Sequence, residues 1–344
     1  MFSKWIRAIT RLIVCLSGML VILWAVGAIC FDLPLPVVIN RIIAVLFFAG
    51  ATFFWCFGKG RIRLLAPALV SVVVAWWFTL KPSNHRDWLP DVAQTAWADI
   101  QGDEITFHQV RNNDYRTETD FTPHWETRTV SLSKLTGIDM AINYWGSPYM
   151  AHPIVSFQFS DAPPLCFSIE TRKEKGESYS AIGGIYRQYE LIYIVADERD
   201  VIRVRTNYRK GEDIYLYRLK ITPGQARGRL MDYVKSLNQL KDHPHWYNAV
   251  TDNCTTSIRT QHDAKQRRPW DWRILVNGFG DEMLYENGAI QTGGLTFAEL
   301  KKRSWINEQA KAADAAPDFS HRIRANVPSF AEGTPLSPVT TPAQ

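Results

Sequence analysis

Cysteine is scarce in this chain of 344 residues: there are five, and Cys15, Cys30 and Cys56 fall inside apolar runs. There a thiol is only a small apolar filler. Cys166 and Cys254 are all that remain for the polar part. That is too few for a disulfide scaffold, and roughly 250 residues can bury an ample core without one. There is no CxxC and no HExxH, which removes the common redox and zinc signatures. A Gly-rich phosphate loop and an internal repeat are also missing. The net charge is +5, but basic and acidic residues are interleaved. A nucleic-acid partner is therefore not expected, and neither a cofactor nor a metal is called for.

Charge is nearly absent from three stretches close to the N-terminus: 8–31, 42–58 and 64–80. Runs of 17 to 24 residues suit helices that cross a hydrocarbon core of ~30 Å. A cleaved leader is the rival for the first run. No small-x-small site ends it, however, and two further apolar runs follow at once. Lys4, Arg7 and Arg11 flank the first run, and Lys59, Arg61 and Arg63 fill the loop between the second and third. Positive charge stays on the cytoplasmic side, so the N-terminus is expected inside. Residues from about 81 onward then lie outside, in the periplasm of a Gram-negative cell. The expected organisation is a three-helix anchor over 1–80, a linker over 81–105, an outer domain over 106–310 and a disordered tail over 311–344.

The outer domain is expected to be α+β. "DVAQTAWADI" (91–100) reads as a helix. The stretch 104–135, "GIDMAINYWG", "HPIVSFQF", "LCFSIETR", "YELIYIVAD", "DVIRVRTN" and "DIYLYRLKIT" read as strands by their alternation and β-branched content. "RKEKGE" (172–177) reads as a solvated loop. Thr222-Pro223 opens an amphipathic helix, and "TTSIRTQHDAKQ" (255–266) reads as another.

The second of these helices follows "YNAVTDNC". Asp252 and Asn253 are good N-cap residues, which puts Cys254 in the first turn. Free N–H groups there favour a thiolate and form an anion site. The alternative is a buried thiol that only packs. A cysteine nucleophile needs a base. Of eight histidines, His152 stands apart, opening a strand and held extended by Pro153. If 158 opposes 164 in the hairpin, 152 opposes 170. Glu170 would then share a face with His152 and could hold its tautomer. A one-residue slip would leave Thr171 or Glu174 as the fallback.

The segments "VRNNDYRTETDFTPHWETR", "YWGSPYMAHPIVSFQF", "SIETRKEKGESYS", "YRQYELIYIVADERDVIRVRTNYR" and "NCTTSIR" resemble the Lnb N-terminal periplasmic domain over roughly 100–290. The resemblance implies a permuted papain-like (NlpC-type) fold with an antiparallel sheet packed on the Cys-bearing helix. It also implies a Cys nucleophile and a His base, carried onto Cys254 and His152, which occur in the His-before-Cys order of permuted members. The expected function is that of a membrane-anchored periplasmic thiol acyltransferase or hydrolase. It would act on lipoprotein or lipid acyl groups through a thioester, with Asn253 or Thr255 supporting the oxyanion. Tyr144, Trp145 and Tyr149 are candidates for an acyl groove, and Arg111, Tyr115 and Arg116 for head-group contacts. With Asp114 and Arg128, the latter set could equally be a salt-bridge network. Two alternatives remain: an amidase or cysteine peptidase of cell-wall peptides, and a non-catalytic envelope binding or assembly protein. A polar cleft would favour peptide, an apolar one acyl chains. The expected surroundings are the inner membrane and a lipoprotein, lipid or cell-wall substrate.

Overall fold

Nearly charge-free sequence near the N-terminus becomes three helices, α1 (Phe2–Asp32), α2 (Val37–Phe57) and α3 (Leu65–Thr79). The computed structural model describes residues 2–261 and 267–330. All three helices are long and apolar enough to cross a membrane, the third when its leading 3-10 turn from Gly60 is included. They form one of two compact units with the segments Glu177–Glu190 and Trp246–Ala249. Inside that unit the Tyr186 ring stacks on Phe31 at 5.5 Å. Gly27 lets that ring approach closely, because a Cβ there would lie 1.9 Å from the Tyr186 hydroxyl and would have to displace it. Arg187 lies over the Trp77 ring at 3.7 Å, and its N–H donates to Asp32. Residues outside the expected anchor, 1–80, thus belong to the same unit.

The second unit takes Asn84–Gly176, Leu191–His245 and the chain from Val250. Its strands are β1 (Trp97–Gln101), β2 (Glu104–Arg111), β3 (Asp114–Tyr115), β4 (Phe121–Thr122), β5 (Trp125–Ser131), β6 (Leu135–Trp145), β7 (Ser147–Phe159), β8 (Leu165–Arg172), β9 (Glu190–Ala196) and β10 (Glu212–Arg218). Sheet order is β1-β2-β9-β8-β7-β6-β10, with β5 on β2, while β3 and β4 pair separately. The described pairs are antiparallel except β2 with β9. The class is α+β, as the alternation indicated.

The helices of this unit are α4 (Glu198–Val201), α5 (Pro223–Asp242), α6 (Cys254–Thr260), α7 (Gly280–Glu286), α8 (Phe297–Ser304), α9 (Asn307–Ala312) and α10 (Phe319–Arg322). Thr222 caps α5 through a capping box with Gln225. One apolar cluster joins Phe157 and Phe167 of the sheet to Tyr233 of α5, with ring centroids 5.0–5.6 Å apart. Another joins Ile154 and Cys166 to Phe319, Ile323 and Val327. α6 packs against β7 and β8.

Five expectations fail. Residues 91–100 are not a helix: Pro90–Val92 is a 3-10 turn and Trp97–Gln101 an edge strand. Asn238 of α5 satisfies that edge, accepting from Ala98 N–H and donating to its carbonyl, both at 2.8 Å. The 81–105 stretch is therefore built into the second unit from Asn84 and is no free linker. "DVIRVRTN" is helical, as α4 followed by a π-helical turn Val204–Tyr208. Asp197 caps it, and burial on all sides erases the period that separates helix from strand. Arg172, placed in a solvated loop, is buried and donates to the carbonyls of Val92 and Ala93. The tail is ordered as far as Phe330: α10 packs in the core and Arg324 ion-pairs with Asp139 and Glu198 at 2.8 and 2.5 Å. The remaining tail expectation lies outside the described residues, as does His262.

Candidate functional site

Asn253 starts α6 as expected of an N-cap. Its Oδ1 accepts from the N–H groups of Thr255 and Thr256, both at 3.0 Å. Cys254 follows as the first helical residue and is buried. The side chains expected to support an oxyanion are occupied in holding this cap: Thr255 Oγ1 donates to the Ile274 carbonyl at 2.7 Å. A different residue reaches the thiol. Asn277 accepts from Ala151 N–H through Oδ1 at 2.8 Å, which turns its Nδ2 toward Cys254 Sγ at 3.8 Å. One side chain thus connects the residue before His152 to the sulfur.

The hairpin register is 154 with 168 through 157 with 165, which extends to 152 opposite 170. The ladder stops at Ile154–Ser168, so His152 and Glu170 lie beyond the last pair. Between them sits Ser168, whose Oγ is 2.7 Å from His152 Nε2 and donates to Glu170 Oε1 at 2.6 Å. A hydroxyl has one proton. If Ser168 gives it to Glu170, it must accept from Nε2–H, and Nδ1 then carries the imidazole lone pair. Arg205, from the π-helical turn, donates to the same Glu170 oxygen at 2.8 Å. No hydrogen bond joins Cys254 directly to His152, and Cys254 and Cys166 are both free thiols.

Electrostatics set the resting protonation. Although burial pushes the Glu170 carboxyl upward, Arg205, Arg111, His152 and the Ser168 hydrogen bond prevail and hold it well below the usual range. Burial and the Arg205 and Arg209 charges push His152 down to about 4, against the pull of Glu170. Burial pushes Cys254 up to about 11, although Thr255 and Cys254 N–H groups and Asn277 act the other way. The thiolate expected at the helix start is therefore not the resting state. The site rests as neutral thiol, neutral imidazole and ionised carboxylate.

Residues 121–278 match the Lnb N-terminal periplasmic domain family. No curated protein and no solved structure matches the chain. The Lnb match falls inside the stretch that the sequence resemblance covers and contains His152, Ser168, Glu170, Arg205, Cys254 and Asn277. Together with three apolar helices, it supports a membrane-anchored protein with a periplasmic domain.

The groove candidates are placed elsewhere. A cavity of about 720 Å³ adjoins the site, lined by Pro153, Thr255 and Asn277 among others, and by none of the six groove candidates. Tyr144 instead lies 2.8 Å from both the Gly278 carbonyl and Asp281, and accepts from Lys301. It braces the turn that carries Asn277. Trp145 ends β6 half-buried, and Tyr149 is exposed beside Phe279. Arg111 is buried against Asp200 at 2.7 Å, Tyr115 is buried beside Asn113, and Arg116 pairs with Asp120 on the surface. Arg128 bridges Glu126 and Asp197. Arg111, Arg116 and Arg128 are thus each held in salt bridges, and Tyr115 in a hydrogen bond.

Ser168, Arg205 and Asn277 were not anticipated. Ser168 lies two residues before Glu170, on the same strand face, so alternation could have found it. Arg205 was hidden by the strand reading. "NG" at 277–278 announces a turn, but nothing in it announces a partner for sulfur.

Proposed function

We propose that this protein is a membrane-anchored periplasmic thiol acyltransferase or hydrolase that works through Cys254 and His152. The observation that carries the reading is the polar chain Arg205–Glu170–Ser168–His152, ending beside the residue from which Asn277 reaches Cys254 Sγ. A base oriented by a carboxylate through a hydroxyl, tied by Asn277 to a nucleophile at a helix start, supplies the groups that covalent acyl transfer needs.

Because thiol and imidazole are both neutral at rest, attack requires proton transfer and not a preformed ion pair. The Cys254 proton passes to His152 Nδ1 as Sγ bonds to the ester carbonyl carbon. Asn277 Nδ2 and the Cys254 N–H stabilise the oxyanion. The C–O bond then breaks, and His152 protonates the leaving alkoxide. An amine or water, deprotonated by His152, attacks the thioester, and the sulfur recovers its proton. In this proposal imidazole and thiol come within hydrogen-bond reach only on substrate binding, since catalytic hydrogen bonds often form fully only in the substrate complex. The apolar floor of the adjoining cavity, with Ile142, Ile258 and Leu284, favours an acyl chain over a peptide. The positive-inside pattern supports an N-terminus in the cytoplasm, and the proposal takes the anchor to lie in the inner membrane. The permuted papain-like description belongs to this proposal as well.

The test is intact-mass analysis of the purified full chain after incubation with an acyl ester of glycerol. An acyl adduct on Cys254, removed by neutral hydroxylamine and missing from Cys254→Ala, is expected. Absence of any adduct on the parent chain, or equal labelling of Cys254→Ala, would sink the proposal.

A further inference from the structure

The cavity beside Cys254 carries charge that the chemistry above does not use. Its floor is apolar, from Met140, Ile142, Ile258, Met283 and Leu284. Four arginines also line it, Arg259, Arg267, Arg268 and Arg273, against one acid, Asp271. Arg273 is neutralised by Asp271 and Glu286, at 2.8 and 2.7 Å. Arg259 and Arg268 are different. Their hydrogen bonds go to main-chain carbonyls, of Arg268 at 2.8 Å and of Asn287 at 3.5 Å. Among the described residues neither makes a salt bridge. A guanidinium has five N–H donors in a fixed fork, so one carbonyl contact leaves most of each fork for a ligand. Arg259 also lies over the Trp270 ring, at 5.8 Å, which limits where its fork can point.

An apolar pocket of this volume is in the range that takes a small amphiphile, and guanidinium forks suit phosphate oxygens. A neutral lipid would leave the arginines without a counter-charge. A free phosphate would leave the floor empty. We infer that this cavity binds the acyl chain of a glycerophospholipid with a net anionic phosphodiester head group, and that Arg259 and Arg268 select for that charge. The inference rests on the thiol acyl-transfer reading for its purpose, since a donor seated there lies against Thr255, Asn277 and Pro153, the neighbours of Cys254 and His152. Cys254 then takes the acyl group and the lysophospholipid leaves.

Binding can be read without turnover. The full chain carrying Cys254→Ala, in neutral maltoside micelles, is loaded with a fluorescent polyunsaturated fatty acid. It is then titrated with lysophosphatidylglycerol, lysophosphatidylcholine of the same chain, or glycerol 3-phosphate. Lysophosphatidylglycerol should displace the probe at about tenfold lower concentration than lysophosphatidylcholine. Arg259→Gln with Arg268→Gln should erase that preference and leave lysophosphatidylcholine unchanged. Gly280→Leu should weaken both lipids, because Gly280 lines the cavity and a Cβ there meets nothing within 4 Å, with an unchanged circular dichroism spectrum checking that the variant is folded. Equal displacement by the two lipids, a preference that survives loss of both arginines, or glycerol 3-phosphate competing as well as the lipid would overturn the inference. A charge preference that holds while no Cys254 adduct ever forms would refute the catalytic reading alone.

Discussion

His152 shows what burial does to one residue. An imidazole ordinarily titrates near 6.5, and here it is held at about 4 by desolvation and two arginines. Between those values the unfolded chain binds a proton that the folded chain refuses. The folded state is therefore fully favoured above pH ~6.5 and loses stability as pH falls toward 4, after which the loss levels off. The effect is on the order of 2–3 kcal/mol once partial exposure is allowed for. His152→Gln should shrink the difference in thermal midpoint between pH 7 and pH 4. An unchanged difference would mean that other groups carry the acid sensitivity. For activity the same residue predicts an acid limb near pH 4 instead of near 6.5.

Elements place what residues cannot place alone. Asn277 sits on a 3-10 turn (Asn277–Phe279) pressed against the start of β7. A Cβ at Gly278 would lie 2.2 Å from the Pro148 carbonyl and 2.4 Å from the Tyr149 carbonyl carbon. Both are backbone atoms that cannot swing away. Gly278→Ala should push the turn off the strand and take Asn277 Nδ2 from the sulfur. The loss of one oxyanion donor is worth roughly 10²–10³ in rate, so acylation of Cys254 should slow by up to that factor while the helical content by circular dichroism stays the same. Wild-type acylation in this variant would show that Asn277 does not act on the reacting carbonyl. The same element logic explains the misread segments. "DVIRVRTN" alternates like a strand, yet a capped, fully buried helical turn has no solvent side to impose a 3.6-residue period. "LCFSIETR" and "TPGQARGRLMDYVKSLNQLKDH" were legible because one had a plain β run and the other a cap, an N1 proline and a half-exposed face.

In the whole molecule, the last described helix closes a buried ionic cluster on the sheet. Arg324 pairs with Asp139 of β6 and Glu198 of α4, and Arg218 of β10 also meets Asp139. Glu198 in turn accepts from Ser156. Removing one partner of a fully buried pair leaves an uncompensated charge, at a cost of about 3–5 kcal/mol. Arg324→Met should therefore lower the thermal midpoint far more than truncation at residue 331, which leaves the cluster whole. A midpoint within a degree of the parent would show that the segment 311–330 does not brace the domain. Composition makes the whole tail, 311–344, read as disordered, since Ala, Pro, Ser and Thr dominate it. The few apolar residues that matter, Phe319, Ile323 and Val327, are too widely spaced to form a run, but all reach one face of the sheet.

Local chemistry was enough for the membrane helices, the α5 cap, the β7–β8 register and the placement of Cys254 at a helix start. Each rests on hydrophobic length, cap preference or alternation over neighbouring residues. Three things required long-range packing. Burial overrode the helix terminus and kept the thiol protonated. Arg205 became the clamp for Glu170 only when segments 35 residues apart in the chain met. The cavity formed from β6, β7, α6 and α7, whose side chains share no motif. A pKa depends on how much water is excluded, and a cavity on which side chains fail to touch. Neither quantity is local in sequence.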